Sequence, residues 1–365
     1  MHIHKLFLND YRNIEKVAID PDPEFNILWG NNAQGKTNLL EGIYLLGNLR
    51  SFRSNKSEEL IRHNTPGSRI AGDLICQGVR RRIELSISVA GKSAKVDGKE
   101  VKKAGLFMGY LRPVLFSPEE VGLIKGYPAG RRALLDRAIY QAEPSYLERA
   151  QQYERSLLQR NRLLKEGRSE PEIVPWTEQL INTGARIRFD RQCYLERLLP
   201  LLRETYRNIT GGHEDADLHY PASAPDEENF RQSLRRELAK QRQRERDIGQ
   251  TLAGPHRDDP LFLVEGRPLR MFGSQGQQRS YMLAFKTAQI MDLEKQIGES
   301  PVLLLDDMTG ELDRQRQGFF FRFLLERRGQ VFITTTDIQP LLKEGLQQAR
   351  FFRVSQGTVQ EDSRE

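Results

Sequence analysis

The chain has 365 residues, of which 38% are hydrophobic and 29% charged, and its net charge is +6. This length exceeds the size at which a single hydrophobic core usually stops growing, so two structural units are expected. No apolar run approaches the ~18 residues that span a bilayer, and the N-terminus lacks the apolar stretch of a secretory signal. Cys76 and Cys193 stand far apart, which argues against a disulfide framework or a zinc site and predicts a reducing cytoplasm. The basic balance suits a nucleic-acid partner, although an ordinary basic surface gives the same charge.

The N-terminal part of the chain is predicted to be rich in strands. Apolar or alternating segments indicate strands at 3–8, 17–19, 25–29 and 83–89. The short, mostly apolar segment Phe25–Trp29 is typical of a buried central strand. A helix with one apolar side is predicted over Asn38–Leu46. The turn dipeptides Gly91-Lys92 and Asp97-Gly98 indicate a β-meander.

Residues 144–249 are predicted to form a helical arm. Apolar residues recur at helical spacing from Tyr146 and again from Leu180, where Pro200 should kink the helix. A third helix from Phe230 carries a basic run formed by Arg231, Arg235, Arg236, Lys240, Arg242, Arg244 and Arg246. Such a run is either a solvated helix face or a nucleic-acid contact, and the pattern leaves both open.

The last part of the chain returns to alternating strands and helices. Strands are predicted at 261–264, 302–305, 331–335 and 351–354, with a helix at 280–295. The predicted fold class is therefore α/β, with residues 1–143 and 250–365 forming one unit that the 144–249 arm interrupts.

A phosphate-binding loop lies between the third predicted strand and the helix that follows. It matches the pattern G-x-x-x-x-G-K-T, and its residues are Gly30, Asn31, Asn32, Ala33, Gln34, Gly35, Lys36 and Thr37, with Asn38 next in the helix. The glycines let the backbone amides turn toward phosphate oxygens. Lys36 is the predicted catalytic contact to the β- and γ-phosphates of ATP, and the Thr37 hydroxyl a predicted Mg²⁺ ligand. A chance match is the alternative, and the flanking strand and helix argue against it.

A predicted strand that ends in two carboxylates completes this site. Asp306 and Asp307 follow the apolar segment 302–305. Asp306 is the predicted second Mg²⁺ ligand, and Asp307 the predicted base that orients and deprotonates the attacking water. In isolation the pattern would suit a buried strand that ends at a solvated turn, and the preceding phosphate loop favours the catalytic interpretation.

A polar segment with glycines at 273 and 276 opens another predicted helix. Its residues Ser274, Gln275, Gly276 and Gln277 are predicted to form a second anion-binding cradle at the helix N-terminus. An ordinary N-cap formed by Ser274 is the alternative.

Together these motifs resemble the ABC-type ATPases, and within them the branch that contains SMC heads and the RecF family. Ser274–Gln277 resembles the ABC signature, and Asp306-Asp307 followed by Glu311-Leu312-Asp313 resembles the Walker B motif and D-loop. The segments Pro118–Asp136 and Gly254–Asp259 resemble segments particular to the RecF family. The resemblance covers essentially the whole chain. It implies an ABC-type P-loop ATPase head with a β-rich subdomain and an inserted α-helical arm.

The resemblance also implies a function in recombinational gap repair and recovery of replication forks. Two copies of the chain would close on double-stranded DNA, or on single-strand/double-strand junctions, with ATP held between the loop of one copy and the signature of the other. Slow, DNA-stimulated hydrolysis of ATP with Mg²⁺ as cofactor would reopen the homodimer. RecR and RecO would be partners, and RecA would be loaded indirectly.

Four positions carry weaker predictions. Arg12 resembles a family residue that approaches the nucleotide, but a structural turn residue is the alternative. Asp313 belongs to the predicted D-loop, where Gly310 replaces the usual serine and puts one contact across a dimer in doubt. Because no histidine follows the strand 331–335, Thr336 is predicted to sense the γ-phosphate, with a threonine-rich strand end as the alternative. His256 has no nucleophile beside it and is expected to be structural.

Three other functions share part of this pattern. A DNA clamp could use ATP only to set affinity, with incidental hydrolysis. The ATPase subunit of a membrane transporter would share the motifs, but the missing switch histidine and the basic arm argue against it. A metabolic P-loop kinase would have no use for the Ser274 segment.

Overall fold

The computed structural model describes residues 1–54, 56–307 and 313–362, except the side chain of Arg314. The described strands are β1 (His2–Tyr11), β2 (Ile14–Ile19), β3 (Phe25–Trp29), β4 (Gly67–Cys76), β5 (Val79–Ser88), β6 (Gly91–Val96), β7 (Lys99–Glu100), β8 (Pro113–Phe116), β9 (Ala216–His219), β10 (Leu261–Val264), β11 (Arg267–Pro268), β12 (Val302–Asp306), β13 (Val331–Thr335), β14 (Arg350–Ser355) and β15 (Thr358–Glu361). The described α-helices are α1 (Lys36–Asn48), α2 (Ala104–Met108), α3 (Pro118–Lys125), α4 (Pro128–Ala142), α5 (Ser145–Lys165), α6 (Glu170–Thr210), α7 (Glu227–Ile248), α8 (Leu269–Phe272), α9 (Gln275–Ile297), α10 (Arg314–Glu326) and α11 (Gln339–Lys343), and a short 3-10 helix spans Ser57–Leu60.

The chain divides into two compact units. One contains Met1–Val121 and Phe285–Glu365, and the other contains Gly122–Ala284. The predicted arm, 144–249, falls within the second unit, which also includes the short sheet β11-β10-β9 and the Ser274 segment. Its status as a separate domain stays a prediction.

A largely parallel sheet positions the predicted site in the first unit. Its strand order is β15-β14-β3-β13-β12-β8, and only the pairing of β14 with β15 is antiparallel among these strands. Every residue of β12 and β13 is buried, as expected for central parallel strands. Because parallel strands end at the same edge, the segments after β3, β12 and β13 emerge side by side there.

A second sheet in the same unit is antiparallel, with the order β2-β1-β4-β5-β6-β7. The run from β4 to β7 pairs each strand with its neighbour in sequence, which confirms the predicted meander. Helix α1 contacts strands of both sheets, and one apolar cluster includes Leu8 of β1, Leu40 of α1 and Leu304 of β12. The predicted β-rich subdomain therefore shares its core with the parallel sheet.

The second unit is built around α6, which contacts α4, α5, α7 and β9. This helix of 41 residues continues through Pro200, where a kink was expected. Every described helix, α6 included, is either too short or too polar to span a bilayer.

Buried ion pairs replace part of the apolar core of this second unit. Arg160 donates to Glu245 across 2.7 Å, and Arg188 donates to Asp258 across 2.8 Å, with all four side chains at most 7% exposed. Breaking one partner of such a pair would leave an uncompensated buried charge. Charged side chains therefore occupy part of the interior of this unit.

Candidate nucleotide site

The phosphate loop joins β3 to α1 with an unusual run of backbone angles. Gly30 has φ 148°, Ala33 φ 62° and Gly35 φ 113°, all in or near the left-handed region that favours glycine. Leu39 donates its amide to the Gly35 carbonyl across 3.0 Å, so the helix begins directly at the end of the loop. Asn31, Asn32 and Ala33 are exposed at its tip. The backbone therefore curls into a cradle at a helix N-terminus, as the motif predicts.

Lys36 reaches back across this loop. Its ammonium donates to the carbonyl oxygens of Gly30 and Asn31, at 2.6 and 2.8 Å, and the residue is 8% exposed. Burial lowers the pKa of Lys36, and the nearby carboxylates of Asp307 and Asp306 oppose that shift. The structure thus holds a positive charge at the mouth of the cradle.

The Thr37 hydroxyl meets the end of β12. It donates to Oδ1 of Asp306 across 2.9 Å, and the same oxygen accepts from the Thr334 hydroxyl at 2.8 Å. Burial raises the pKa of Asp306, which is 5% exposed, while the hydrogen bonds from Thr334 and Thr37 favour its charged form. The two predicted Mg²⁺ ligands are therefore adjacent.

Asp307 turns away from the strand beside them. It has φ 50°, its side chain is exposed, and its amide donates to Thr334 Oγ1 across 2.9 Å. A cleft of about 270 Å³ is lined by the loop residues 32–38 together with Arg53, Asp306, Asp307 and Thr334. The structure brings the predicted base, the predicted metal ligands and the phosphate loop to one cleft.

The structure places two threonines near the end of β13 differently. Thr334 lines the cleft, whereas Thr336 is exposed beyond the end of β13. The sensor role of Thr336 stays a prediction. Thr334 lies opposite Asp306 in the parallel pairing of β12 with β13, so the two side chains share one face of the sheet. This pairing is not encoded in the local sequence.

Arg12 lies near the loop and forms an ion pair with Glu41. Its guanidinium donates to both carboxylate oxygens of Glu41, at 2.8 and 2.7 Å, and Ser51 also donates to Glu41. Glu41 is fully buried, and although burial opposes its ionisation, the hydrogen bonds from Arg12 and Ser51 hold its pKa below the ordinary value. The ion pair gives Arg12 a structural contact, and its contact with nucleotide stays a prediction.

A second cavity of about 880 Å³ continues from the phosphate cleft. Arg12 and Asn13 line it, and it shares Asn38 and Arg53 with the cleft around the loop. Arg53 donates to Asn38 Oδ1 across 2.8 Å. Asn38 is therefore placed where the two cavities meet, and Arg53 is a site residue that no sequence motif indicated.

The predicted signature segment, in the second unit, begins α9. Ser274 Oγ accepts from the Gln277 amide at 3.1 Å, and Gln277 Oε1 accepts from the Ser274 amide at 3.0 Å, a reciprocal capping box. Ser274 and Gln275 are exposed, and Gly276 is half-buried. The capping interpretation of Ser274 is confirmed. Its contact with a second copy stays a prediction.

The predicted D-loop is described only at Asp313. This residue caps α10 by accepting from the Arg316 amide at 3.0 Å, and its side chain is exposed. Gly310, Glu311 and Leu312 lie outside the described residues.

Known proteins resemble this chain over almost its whole length. Residues 2–360 match the model of the RecF/RecN/SMC N terminal domain family. The chain is 51% identical over 359 residues to the DNA replication and repair protein RecF of Syntrophotalea carbinolica, covering 98% of this chain and 99% of that protein. It is 45% identical to RecF of Geobacter sulfurreducens, with 98% and 99% of the two chains covered.

Solved structures give the same result. The recombination mediator protein RecF-ATPrS in the RecFOR pathway superposes with a TM-score of 0.91 at 33% identity, covering 99% of this chain and 98% of that one. The RecF-ATP structure has the same TM-score at 32% identity, with 99% of both chains covered. An SMC head bound to the C-winged helix domain of ScpA, at 16% identity and a TM-score of 0.59, shares the fold, covering 100% of this chain and 98% of that one. The chain therefore belongs to the RecF family of DNA replication and repair proteins.

Proposed function

We propose that this protein is an ATP-dependent DNA-binding protein of recombinational gap repair, with ATP bound at the cleft around Lys36. The observation that carries the proposal is the 2.9 Å hydrogen bond between Thr37 and Asp306, which joins the phosphate loop to the carboxylate end of β12. The solved relatives described as RecF-ATP and RecF-ATPrS support ATP as the nucleotide. The cavity that continues past Asn38 to Arg12 offers room for the nucleoside part.

Mg²⁺ fits the oxygen atoms at this cleft. Within residues 1–54, 56–307 and 313–362, no three His, Cys, Asp or Glu side chains gather closely enough to hold a metal alone. Mg²⁺ is commonly held by one or two protein oxygens together with phosphates and water, so Thr37 and Asp306 form a suitable pair. When bound there, the ion neutralises phosphate charge during transfer.

The chain's own groups provide the rest of an ATPase mechanism. The loop amides and Lys36 bind and orient the phosphates, and the exposed carboxylate of Asp307 accepts a proton from the attacking water. Thr334 holds the Asp307 backbone in place. Hydrolysis in one copy alone would be slow, because the Ser274 segment of a second copy would not be present to stabilise the charge on the γ-phosphate.

The exposure of that segment supports a proposal of dimerisation. Ser274 and Gln275 stand at the exposed start of α9, a helix of 23 residues whose N-terminus attracts anions. We propose that this terminus covers the γ-phosphate bound by another copy, so that ATP holds a homodimer together and hydrolysis releases it.

DNA contact is supported by a row of cations on α7. Arg236, Lys240 and Arg244 recur every four residues, are exposed, and have no ion-pair partner among the described residues. Their neighbours Arg231, Arg235 and Arg242 pair instead with Glu227, Glu178 and Glu170. We propose that this row, called here the α7 stripe, contacts the phosphates of double-stranded DNA or of single-strand/double-strand junctions.

The proposed task in the cell is to help load RecA with the partners RecO and RecR in the cytoplasm. Support comes from family membership and from the solved relatives, which are described as part of the RecFOR pathway. Membership in this family also removes the reasons for a transporter subunit or a metabolic kinase. A clamp with incidental hydrolysis remains the second candidate, because the site geometry serves binding and turnover alike.

The proposal is tested by the effect of ATP·Mg²⁺ on affinity for a fluorescent DNA duplex. For the wild-type protein, nucleotide should tighten binding at least about tenfold, since it would complete the DNA-gripping dimer. Lys36→Met should lose the effect, and the exposed Lys16→Met should keep it. If ATP did not change the affinity for DNA of a protein shown to bind ATP, the proposal would be refuted. Turnover that does not respond to DNA would favour the clamp.

A further inference from the structure

The turn between the last two strands contacts the phosphate loop directly. In the turn between β14 and β15, the Gln356 amide donates to Gln34 Oε1 across 2.8 Å, and the Gly357 amide donates to the Gln34 carbonyl across 2.9 Å. Gln34 thus has both its side chain and its backbone anchored by residues more than 300 positions away. No sequence motif assigned a role to this turn.

Asn13, between β1 and β2, anchors the same loop residue. Its side-chain amide donates to the Gln34 carbonyl across 3.2 Å, and its Oδ1 accepts from Asn38 at 2.8 Å. The Gln34 carbonyl therefore accepts hydrogen bonds from both Gly357 and Asn13. Asn38 links Asn13 in turn to the first turn of α1. Each contact lies within the first unit.

The close packing of this hairpin against its neighbours leaves room only for glycine at two positions. A Cβ on Gly30 would lie 2.3 Å from the Val354 carbonyl oxygen of β14, and a Cβ on Gly357 would lie 2.3 Å from the Asn13 carbonyl oxygen. Both neighbours are backbone atoms that cannot rotate away. The hairpin is therefore packed against the start of the loop through β14, and against Asn13 through its turn.

The geometry of the peptide bond shows what this anchoring does. The Gln34 carbonyl and the Gly35 amide belong to one planar trans peptide, so they point in opposite directions. Holding the carbonyl outward on Gly357 and Asn13 directs the Gly35 N–H into the loop, where phosphate binds. Gln34 also lies between Ala33 and Gly35, both of which have positive φ, so its peptide belongs to the strained part of the loop.

We propose that the β14–β15 turn, through Gly357 and Gln356, is a positioning element for the phosphate loop and sets its affinity for ATP. The inference rests on the proposed function, because it takes ATP as the ligand of this loop. Gly357 is a positioning residue, which acts on the loop through its hydrogen bond to Gln34 and its packing against Asn13.

The chain contains a matched control for the decisive variant. Gly357 has φ 78° and follows Gln356 with φ 48°, while Gly98, in the turn between β6 and β7, has φ 79° and follows Asp97 with φ 49°. A Cβ on Gly98 would meet nothing within 4 Å. Gly357→Ala and Gly98→Ala therefore impose the same backbone strain, and only the first disturbs the loop.

The experiment measures affinity for ATP·Mg²⁺, the rise in Tm that ATP produces, and steady-state kinetics for the two variants. Gly357→Ala should bind ATP about tenfold more weakly and raise KM by a similar factor, the size expected when one or two hydrogen bonds are lost. Its kcat should stay within about twofold, because the loop binds ground state and transition state alike. Gly98→Ala should match the wild type in all these measurements except its own lower Tm.

A second variant keeps the test decisive if Gly357→Ala does not fold. Gln34→Met removes the acceptor of the Gln356 amide, and it should weaken ATP binding and speed amide exchange across residues 30–37. Equal ATP affinity in Gly357→Ala and Gly98→Ala, or an unchanged loop in Gln34→Met, would overturn the inference while leaving the proposed function intact. A wild-type protein that does not bind ATP would overturn both.

Discussion

The Thr334 hydroxyl on β13 donates a hydrogen bond of 2.8 Å to Oδ1 of Asp306 on β12. The parallel pairing of the two strands places these residues opposite each other. The same hydroxyl accepts from the Asp307 amide at 2.9 Å. One fully buried side chain thus fixes both the predicted metal ligand and the predicted base.

Replacing Thr334 by valine tests this relationship. The substitution keeps the shape but leaves the Asp307 amide without its acceptor, a cost of about 1–3 kcal/mol. If the lost hydrogen bond lets Asp307 move from its position, kcat should drop about tenfold or more, while the affinity for ATP should change much less. Single-turnover hydrolysis and ATP titration separate the two effects.

Thr335→Val is the matched control for this prediction. Thr335 is the next residue of β13, is also buried, and its hydroxyl donates to the Asp337 carbonyl at 2.6 Å. It should lower stability without a selective loss of kcat. Equal loss of kcat in both variants would show that turnover depends on the integrity of the strand end in general and not on the Thr334 hydroxyl.

The α7 stripe predicts a change in the salt dependence of DNA binding. Each phosphate contact contributes about 0.9 to the slope of log affinity against log salt for duplex DNA. Replacing Arg236, Lys240 and Arg244 together by glutamine should reduce that slope by about 2 to 3. The measurement is a titration of a fluorescent duplex at several salt concentrations.

The control for the stripe is a triple glutamine variant of Arg231, Arg235 and Arg242. These arginines lie on the same helix, and replacing them removes the same charge. They already pair with Glu227, Glu178 and Glu170. Their loss should change the slope less. Identical slopes in the two triple variants would mean that only net charge counts and that α7 has no dedicated DNA face.

His256 predicts that stability falls in acid. Tyr153 donates to its Nδ1 across 2.6 Å, and its Nε2–H donates to the Thr251 carbonyl at 3.1 Å. Burial lowers the pKa of His256 from 6.5 to about 4, so the unfolded chain binds a proton more readily than the folded one. This contribution is complete above pH 6.5 and is lost as the pH falls toward 4, amounting to at most ~3 kcal/mol.

The measurement is Tm as a function of pH between 4 and 7 for the wild type, His256→Gln and the exposed His213→Gln. His256→Gln should be less stable at neutral pH and should show a flatter fall in acid. The His213 variant should follow the wild type. A fall of unchanged steepness in His256→Gln would assign the acid sensitivity to other groups.

Local pattern was sufficient for much of the fold. The strands Phe25–Trp29 and Val331–Thr335 were predicted at the bounds that the structure shows, because short apolar runs between turn residues define them. The helix expected from Asn38 begins two residues earlier, at Lys36, because Gly35 is its N-cap and makes the turn without a side-chain cap. The phosphate loop and the carboxylates after β12 were identified for the same local reason, since each motif is contiguous in sequence.

Two contacts that escaped prediction depend on which strands are neighbours. Thr334 reaches Asp306 only because β13 lies between β3 and β12, and Gly357 reaches Gln34 only because β14 lies on the other side of β3. Periodicity reveals that a strand is buried but not which strand it pairs with. Helix α6 continues through Pro200 and contacts neighbouring helices, and the kink expected at Pro200 stays a prediction.

The most direct test of the proposed function is the molar mass of Asp307→Asn, measured by light scattering with and without ATP·Mg²⁺. This variant should bind ATP but hydrolyse it slowly, so the nucleotide-held state should accumulate. The proposed function predicts a monomer without ATP, a dimer with ATP, and no dimer when Ser274→Arg is added. A mass that ATP leaves unchanged, in a variant shown to bind ATP, would contradict the homodimer held by nucleotide.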